Sequence, residues 1–217
     1  MLDRKTALER IKSSGVIAVL RRTELDQVRP VIDALLAGGV DCIELPIATR
    51  AGILALPRVH EEYGDQICLG AGSVFNADLA TLAAGMDVDF ISAPSSDMAI
   101  VEVCKARDVV SFPGAMTPTE IIRDWHIGAD LIKVFPSSLL GPQYFANMLM
   151  QLPGLPIAAS GGVNEENLGA FLRAGALTAV VGRGLLGETP EEEEGYAAIT
   201  ERARRMRDIV RAVRCGP

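Results

Sequence analysis

Short runs of β-branched and other apolar residues recur along the chain, and their first residues are about 20 to 26 positions apart. Segments with helical periodicity, such as 25–39 and 76–86, separate them. Apolar strands that alternate with amphipathic helices predict parallel strands covered by helices. The predicted strands occupy residues 16–20, 42–47, 67–72, 89–94, 109–114, 131–136, 156–162 and 179–184.

Eight such units predict a single domain over residues 1–217 with a (β/α)8 TIM-barrel fold. A doubly wound open sheet is the main alternative, because it uses the same alternation. An extra helix is predicted at about 3–14, before the first strand, and a closing helix within 189–214. Apolar residues recur at helical spacing in that last segment, so its arginines are interpreted as the solvated face of an amphipathic helix.

Composition narrows the class of protein. The chain is 49% hydrophobic but only 5% aromatic, which predicts an aliphatic core. A net charge of −7 argues against nucleic-acid binding. The first 15 residues are charged and amphipathic, unlike a secretory signal, and the four cysteines form no CxxC pair. These features favour a cytoplasmic protein with no disulfide framework.

Residues 134–164 contain no charged side chain, so they are long enough on paper to cross a bilayer. Four prolines interrupt this window, together with Ser, Gln and Gly. Such residues break helices and expose backbone groups that lipid cannot satisfy. We therefore expect two buried elements joined by loops, and no membrane association.

The polar residues at strand ends are the candidates for chemistry, because catalytic groups of parallel barrels project from the carboxyl ends of the strands. Only Glu44 and Lys133 are both charged and embedded in their predicted strands. The full set is Arg21, Glu44, Ser73, Lys133, Ser160 and the glycines of 161–162 and 182–184.

Lys133 stands out because the chain has only four lysines against seventeen arginines, and this one lies in the apolar run LIKVF. An ordinary lysine, with a pKa near 10.4, is a free amine in only about one molecule per thousand at neutral pH. Apolar surroundings lower that pKa, and a neutral amine can attack a ketone to form a Schiff base. Glu44 would then move protons. The alternative is a structural ion pair, which is an expensive way to stabilise a barrel.

Glycine-rich turns after the last two strands, ASGGV and VGRGLLG, lead into helices. Barrels build phosphate sites there from backbone N–H groups. Tight packing is the alternative. GRGLLG also matches the dinucleotide pattern GxGxxG, but too little chain follows it for such a domain.

Other catalytic classes find little support. His60 and His126 are the only histidines, and both fall in helical segments, so a histidine-rich metal site cannot form. A Mg²⁺ site built from carboxylates is a remaining alternative, but it does not explain why Lys133 lies in an apolar run. The sequence contains no GxSxG elbow for a serine hydrolase. We therefore predict no metal and no cofactor.

Several stretches, in order from residue 16 to 187, resemble the 2-keto-3-deoxy-6-phosphogluconate (KDPG) and 4-hydroxy-2-oxoglutarate (KHG) aldolases, which include the 6-phosphogalactonate aldolases. They are IAVLR, AGGVDCIELPI, LGAGSV, FPGAMTPTE, GADLIKVFPSS, GPQY, SGGV and NLGAFLRAGA. The resemblance implies a (β/α)8 barrel, usually a homotrimer, that needs no metal.

It also implies a role for each matching residue. Lys133 would be the Schiff-base lysine and Glu44 the acid/base. The remaining roles are substrate-carboxylate binding by Ser73, pocket lining by Pro113, Gly114 and Phe135, and phosphate binding by Arg21, Gly161, Gly162 and Gly182.

Three positions depart from the family pattern. Ala48 stands where gluconate-type members have arginine, with Arg50 two positions later. Ser160 occupies a position that varies between a hydroxyl residue and valine, near the hydroxyl-bearing carbons of the substrate. Arg183 replaces a common serine, and it either binds phosphate through two parallel hydrogen bonds or points outward. The preferred C4 epimer is therefore left open.

The predicted function is a class I aldolase that cleaves a 2-keto-3-deoxy-6-phospho sugar acid into pyruvate and glyceraldehyde 3-phosphate. Two alternatives are an aldolase for unphosphorylated 4-hydroxy-2-oxoglutarate and a non-catalytic barrel that binds sugar-acid phosphates. The expected partners are small molecules only.

Overall fold

The fold is seen in a computed structural model that describes residues 2–20, 25–187 and 193–216. Within these residues, nine parallel strands form one sheet in the order β5-β4-β3-β2-β1-β9-β8-β7-β6. Their bounds are β1 Val16–Val19, β2 Cys42–Pro46, β3 Cys68–Gly72, β4 Phe90–Ser92, β5 Val110–Phe112, β6 Gly114–Ala115, β7 Ile132–Val134, β8 Ile157–Ser160 and β9 Ala179–Val181.

Strands β5 and β6 are two halves of one barrel strand, because Pro113 alone separates them. The first half pairs with β4 and the second with β7. Proline has no N–H to donate to a ladder, but its carbonyl still accepts a 2.8 Å hydrogen bond from the Lys133 amide. The sheet therefore closes, which confirms the predicted (β/α)8 barrel over the open sheet. Strands β7, β8 and β9 are the sixth, seventh and eighth strands of this barrel.

Helices follow the strands as the alternating pattern predicts. Their bounds are α1 Arg4–Ser14, α2 Leu25–Ala37, α3 Arg50–Tyr63, α4 Ala77–Ala84, α5 Met98–Ala106, α6 Pro118–His126, α7 Ser137–Gln151, α8 Glu165–Arg173, α9 Arg183–Leu186 and α10 Glu193–Cys215. A short 3-10 helix spans Gly64–Gln66. The predicted extra helix is α1, and the closing helix is α10, described from Glu193 onward.

The amphipathic interpretation of the closing helix is confirmed. On α10, Ala203, Met206 and Val210 are buried against the barrel, whereas Arg204 and Arg211 are exposed. No helix in the described part of the chain combines the length and the apolar character that a bilayer span requires.

The barrel interior is apolar at its amino-terminal end, where α1 closes it with Ala7 and Ile11. Above them, buried residues that include Phe90 and Phe112 fill the centre. A larger apolar layer lies between the strands and the helices. Glu44, Ser92, Lys133 and Ser160, which are buried polar residues, lie at or near the carboxyl ends of their strands.

Candidate active site

A cavity of about 610 Å³ opens at the carboxyl ends of the strands. Parallel strands all end at this face, so residues that are distant in the chain meet there. The lining residues are Val19, Glu44, Pro46, Ser73, Pro94, Lys133, Phe135, Ser160, Gly161, Gly162, Val163, Val180, Gly182, Arg183 and Gly184. Most of the residues predicted for the site are among them.

Lys133 lies at the middle of β7 and points into the barrel, whereas its neighbours Ile132 and Val134 pack outward in the layer beneath the helices. Only 7% of the residue is exposed. Burial lowers the pKa of Lys133 below the ordinary 10.5, and the Glu44 carboxylate opposes this shift more weakly. The amine is therefore closer to neutral than a surface lysine, as nucleophilic attack requires.

The Lys133 ammonium group has a defined partner. Its Nζ donates a 2.7 Å hydrogen bond to the hydroxyl of Ser92, which ends β4 and is fully buried. A hydroxyl is a neutral acceptor, so it orients the amine without adding a charge that would stabilise the protonated form strongly.

Glu44 points into the same cavity from β2 and is 4% exposed. Its Oε2 atom is buried and has no hydrogen-bond partner among the described residues. Buried carboxylate oxygens are nearly always paired, so this one is placed to accept a proton or a hydrogen bond from a bound molecule. The adjacent strand β3 makes room for the carboxylate at Gly72, where a Cβ would lie 2.6 Å from Glu44 Cδ.

Two serines, Ser73 and Ser160, also line the cavity. Ser73 follows β3 with φ of 58°, a left-handed conformation that is uncommon for a residue other than glycine and often marks functional sites. Ser160 ends β8 and is 6% exposed. The Ser160 amide donates to Ser137 Oγ (2.9 Å), and the Ser137 hydroxyl donates to the Val134 carbonyl (2.7 Å). This bridge ties the seventh strand to the strand that carries Lys133.

The predicted phosphate-binding residues form one wall of the cavity. Gly161 and Gly162 make the turn after β8, with φ of 83° and 79°, and Gly182 precedes α9. Arg183 is exposed and lines the cavity beside them. The Phe135 ring is 43% exposed and covers Gly161, at 3.0 Å from where its Cβ would lie. Arg21 lies outside the described residues.

Some predicted residues lie elsewhere. Pro113 and Gly114 are buried in the fifth barrel strand, where a Cβ on Gly114 would be 2.5 Å from the Pro94 carbonyl oxygen. The cavity wall on that side is Pro94. Ala48 and Arg50 are exposed next to the amino terminus of α3 and do not line the cavity.

Sequence reasoning overlooked Ser92, although a pattern in the chain could have revealed it. In the stretch DFISAP, side chains alternate between the two faces of β4. Phe90 is in the inner cluster, so Ser92, two residues later, shares the inward face.

The described residues contain no group of three or more His, Cys, Asp or Glu side chains arranged to hold a metal ion.

The model of a protein family described as "KDPG and KHG aldolase" matches residues 8–202 of this chain. The chain is 30% identical over 193 residues to a 2-dehydro-3-deoxy-6-phosphogalactonate aldolase of Escherichia coli K12, covering 88% of this chain and 94% of the relative. It is 29% identical over 167 residues to a 2-dehydro-3-deoxy-phosphogluconate aldolase of Treponema pallidum, covering 76% of this chain and 78% of that one.

Solved structures of similar fold include aldolases of the same family. A structure described as native KDPGal superposes with a TM-score of 0.84 at 28% identity, covering 93% of this chain and 96% of the other. The KDPG aldolase of Legionella pneumophila, at 21% identity, shares the fold with a TM-score of 0.83, covering 92% and 97%. The barrel places a buried lysine and a buried carboxylate in one cavity, and the family model matches most of the chain. The chain therefore belongs to the KDPG and KHG aldolase family.

Proposed function

We propose that this protein is a class I aldolase that reversibly cleaves a 2-keto-3-deoxy-6-phospho sugar acid into pyruvate and glyceraldehyde 3-phosphate. The observation that carries this proposal is the position of Lys133. A primary amine whose pKa is lowered by burial faces a cavity that it shares with a buried carboxylate. The relatives act on substrates of this class, as their names state.

The reaction begins at the ketone. The lone pair of Lys133 Nζ attacks C2, the carbonyl electrons move to oxygen, and proton transfers give a neutral carbinolamine. Loss of that oxygen as water leaves an iminium ion between Nζ and C2. The positive iminium withdraws electrons from the neighbouring C3–C4 bond, so that bond becomes the one that breaks.

Glu44 supplies the proton transfers. Its Oε2, which has no hydrogen-bond partner in the part of the chain that the structure describes, accepts the proton of the C4 hydroxyl, directly or through a water molecule. The C3–C4 electrons then move into the iminium and form an enamine, and C4 leaves as the aldehyde of glyceraldehyde 3-phosphate. Protonation of the enamine at C3 and addition of water at C2 release pyruvate and the free amine.

Other residues of the cavity wall hold the carboxylate end and the phosphate end of the substrate. Ser73 binds the carboxylate end, and its constrained backbone fixes the direction of its hydroxyl. Gly161, Gly162, Gly182 and Arg183 receive the 6-phosphate. In support, these residues form one wall of the cavity, and the positive φ of Gly161 and Gly162 lets the backbone approach an anion closely. Gly114 acts behind the wall, where it packs against the Pro94 carbonyl, and Pro113 accepts the hydrogen bond of the Lys133 amide.

The imine can be tested by chemical trapping. Reduction with borohydride in the presence of pyruvate should attach one carboxyethyl group to Lys133, visible by intact-mass analysis and located by peptide mapping. Lys133→Met should take up none and lose retro-aldol activity. A wild-type protein that binds pyruvate but never acquires the adduct would contradict the class I mechanism and favour a non-catalytic binding barrel.

The substrate can be tested by a retro-aldol assay. We expect kcat/KM to be highest for one of the two C4 epimers of the phosphorylated acid, gluconate type or galactonate type. The matched control is the same acid without its 6-phosphate, together with 4-hydroxy-2-oxoglutarate. Equal kcat/KM with and without phosphate would assign the chain to the unphosphorylated substrate instead.

We further propose that the protein is one barrel domain over residues 1–217, acts in the cytoplasm and assembles as a homotrimer, without nucleic-acid or membrane partners. The support is the family resemblance and the net charge of −7. Sedimentation velocity should give the mass of three chains, and a monomer at all concentrations would contradict the trimer.

A further inference from the structure

Ser92 is fully buried at the carboxyl end of β4, and its hydroxyl contacts the amine of Lys133 at 2.7 Å. The two residues are on the fourth and sixth strands of the barrel, separated by the fifth. Side chains from alternate strands meet in one layer of a barrel interior. The second strand contributes Glu44 to this layer, so the Ser92 hydroxyl of the fourth strand lies in the layer that holds the acid/base and the nucleophile.

We propose that Ser92 is a positioning residue that holds the Lys133 nitrogen in its reactive orientation throughout the aldol reaction. This inference rests on the proposed function. Ser92 acts through Lys133 and is not among the residues that line the cavity.

The bonding of the nitrogen explains the role. A neutral amine has two N–H bonds and one lone pair. When one N–H donates to Ser92 Oγ, rotation about the last C–N bond is restricted and the lone pair is directed away from Ser92, toward the cavity. After attack on C2 and loss of water, the iminium nitrogen keeps one N–H. If that N–H still donates to Ser92, the plane of the iminium stays fixed relative to the C3–C4 bond.

Ser92 also affects the charge of the amine. The ammonium form donates to the same hydroxyl, and a hydrogen bond to the charged form favours that form. The charged side chains that line the cavity, among the described residues, are Glu44, Lys133 and Arg183. Removing the Ser92 hydroxyl leaves these charges in place, so any change in the titration of Lys133 reports the loss of this hydrogen bond.

The experiment compares three variants with the wild type. Ser92→Ala removes the hydroxyl, whereas Ser92→Cys fills the same space with a slightly larger thiol that is a much weaker acceptor. Ser111→Ala is the matched control, because Ser111 is equally buried on the next strand but its hydroxyl donates to Asp130 (2.8 Å), away from Lys133. The readouts are the rate of borohydride trapping with pyruvate as a function of pH, kcat, KM and Tm.

We expect Ser92→Ala and Ser92→Cys to lower the plateau trapping rate and kcat by about 10- to 100-fold, the range for one hydrogen bond to a charged group. The fall of the trapping rate on the acid side of the pH profile, the acid limb, should move to lower pH in both variants. KM should change less than kcat. Ser111→Ala should have a lower Tm than the wild type but the same pH profile of trapping.

A folded Ser92→Cys or Ser92→Ala protein with the wild-type plateau and acid limb would overturn the role of Ser92 and leave the proposed function intact. If Ser92→Ala fails to fold, Ser92→Cys decides alone, since it preserves the packing. Failure of the wild-type protein to form any adduct would overturn the proposed function itself.

Discussion

The Glu44 side chain on β2 reaches Gly72 of the adjacent strand β3, two residues beyond its register partner Gly70, and its carboxylate occupies the space that a side chain at position 72 would need. A Cβ there would be 2.6 Å from Glu44 Cδ, closer than carbon atoms approach without displacement. The second and third strands thus determine together where the proposed acid/base points.

Gly72→Ala should therefore impair catalysis by moving Glu44. We expect kcat to fall by roughly 100-fold, since misplacing a general acid/base costs this much or more. Imine formation with pyruvate, measured by borohydride trapping, should fall less than kcat, because Lys133 is not displaced and pyruvate requires no proton removal at C4. The control is Gly85→Ala, where the nearest atom to a Cβ is 3.5 Å away. Unchanged kcat in a folded Gly72→Ala protein would contradict this account.

The pH dependence of imine formation follows from the direction of the Lys133 pKa shift. Burial lowers this pKa below 10.5, so the amine should become reactive, and the trapping rate should reach its plateau, at a lower pH than for an ordinary lysine. The Glu44 carboxylate raises the pKa of Lys133. Glu44→Gln removes that charge and should move the acid limb to still lower pH while abolishing C–C cleavage.

The measurement for this prediction is the trapping rate with pyruvate alone, since it needs no chemistry at C4. Glu61→Gln, on the exposed side of α3, is the control and should keep the wild-type limb. A shift of the limb to higher pH in Glu44→Gln would mean that the carboxylate does not stabilise the ammonium, contrary to the structure.

Gly162 offers a test of the phosphate wall. A Cβ at this position would lie 2.5 Å from Ser138 Cβ, and its φ of 79° is unfavourable for any side chain. We expect Gly162→Ala to raise KM for the phosphorylated acid by about 10-fold or more, the loss of roughly one hydrogen bond to a charged group. Trapping with pyruvate, which has no phosphate, should be nearly unchanged.

Gly154→Ala is the control for backbone strain, because Gly154 has a φ of 88° and no atom of the described residues lies within 4 Å of its Cβ position. It should lower stability without raising KM. If both variants raise KM equally, the effect is general strain and not the shape of the phosphate wall.

Much of this architecture could be predicted from the sequence because its causes are local. Each apolar run became a strand within two or three residues of its predicted bounds, since strands covered by helices need apolar side chains on both faces. Glu44 and Lys133 were recognisable because charge is costly in such runs.

What could not be predicted depends on distances between strands. Alternation along β4 could have placed Ser92 on the inward face, but its hydrogen bond with Lys133 crosses an intervening strand and shows only in the folded barrel. The break of the fifth strand at Pro113 depends on a missing ladder donor, and its position shows only once the neighbouring strands are aligned. The space for Glu44 at Gly72 likewise requires the register of β2 and β3.

A last prediction concerns Asp124 of α6, which anchors the loop that carries Pro94 at the cavity. The residue is fully buried, its Oδ1 accepts a 2.5 Å hydrogen bond from the Ser96 hydroxyl, and its Oδ2 has no partner among the described residues. Burial raises the pKa of Asp124, against the smaller lowering effects of Ser96 and Arg123. The folded chain therefore holds this proton more tightly than the unfolded chain.

Protonated Asp124 thus contributes stability that is fully present below its unfolded pKa, near 3.8, and is lost as pH rises through its raised folded pKa. Asp124→Asn does not titrate, so its Tm relative to wild type should increase as pH rises through that window, measured by thermal melts from about pH 4 to about pH 8. Asp78→Asn, at an exposed position of α4, should show no such trend. A Tm difference for Asp124→Asn that stays constant with pH would mean that the carboxyl is ionised in the folded protein throughout, and that an unseen partner satisfies Oδ2.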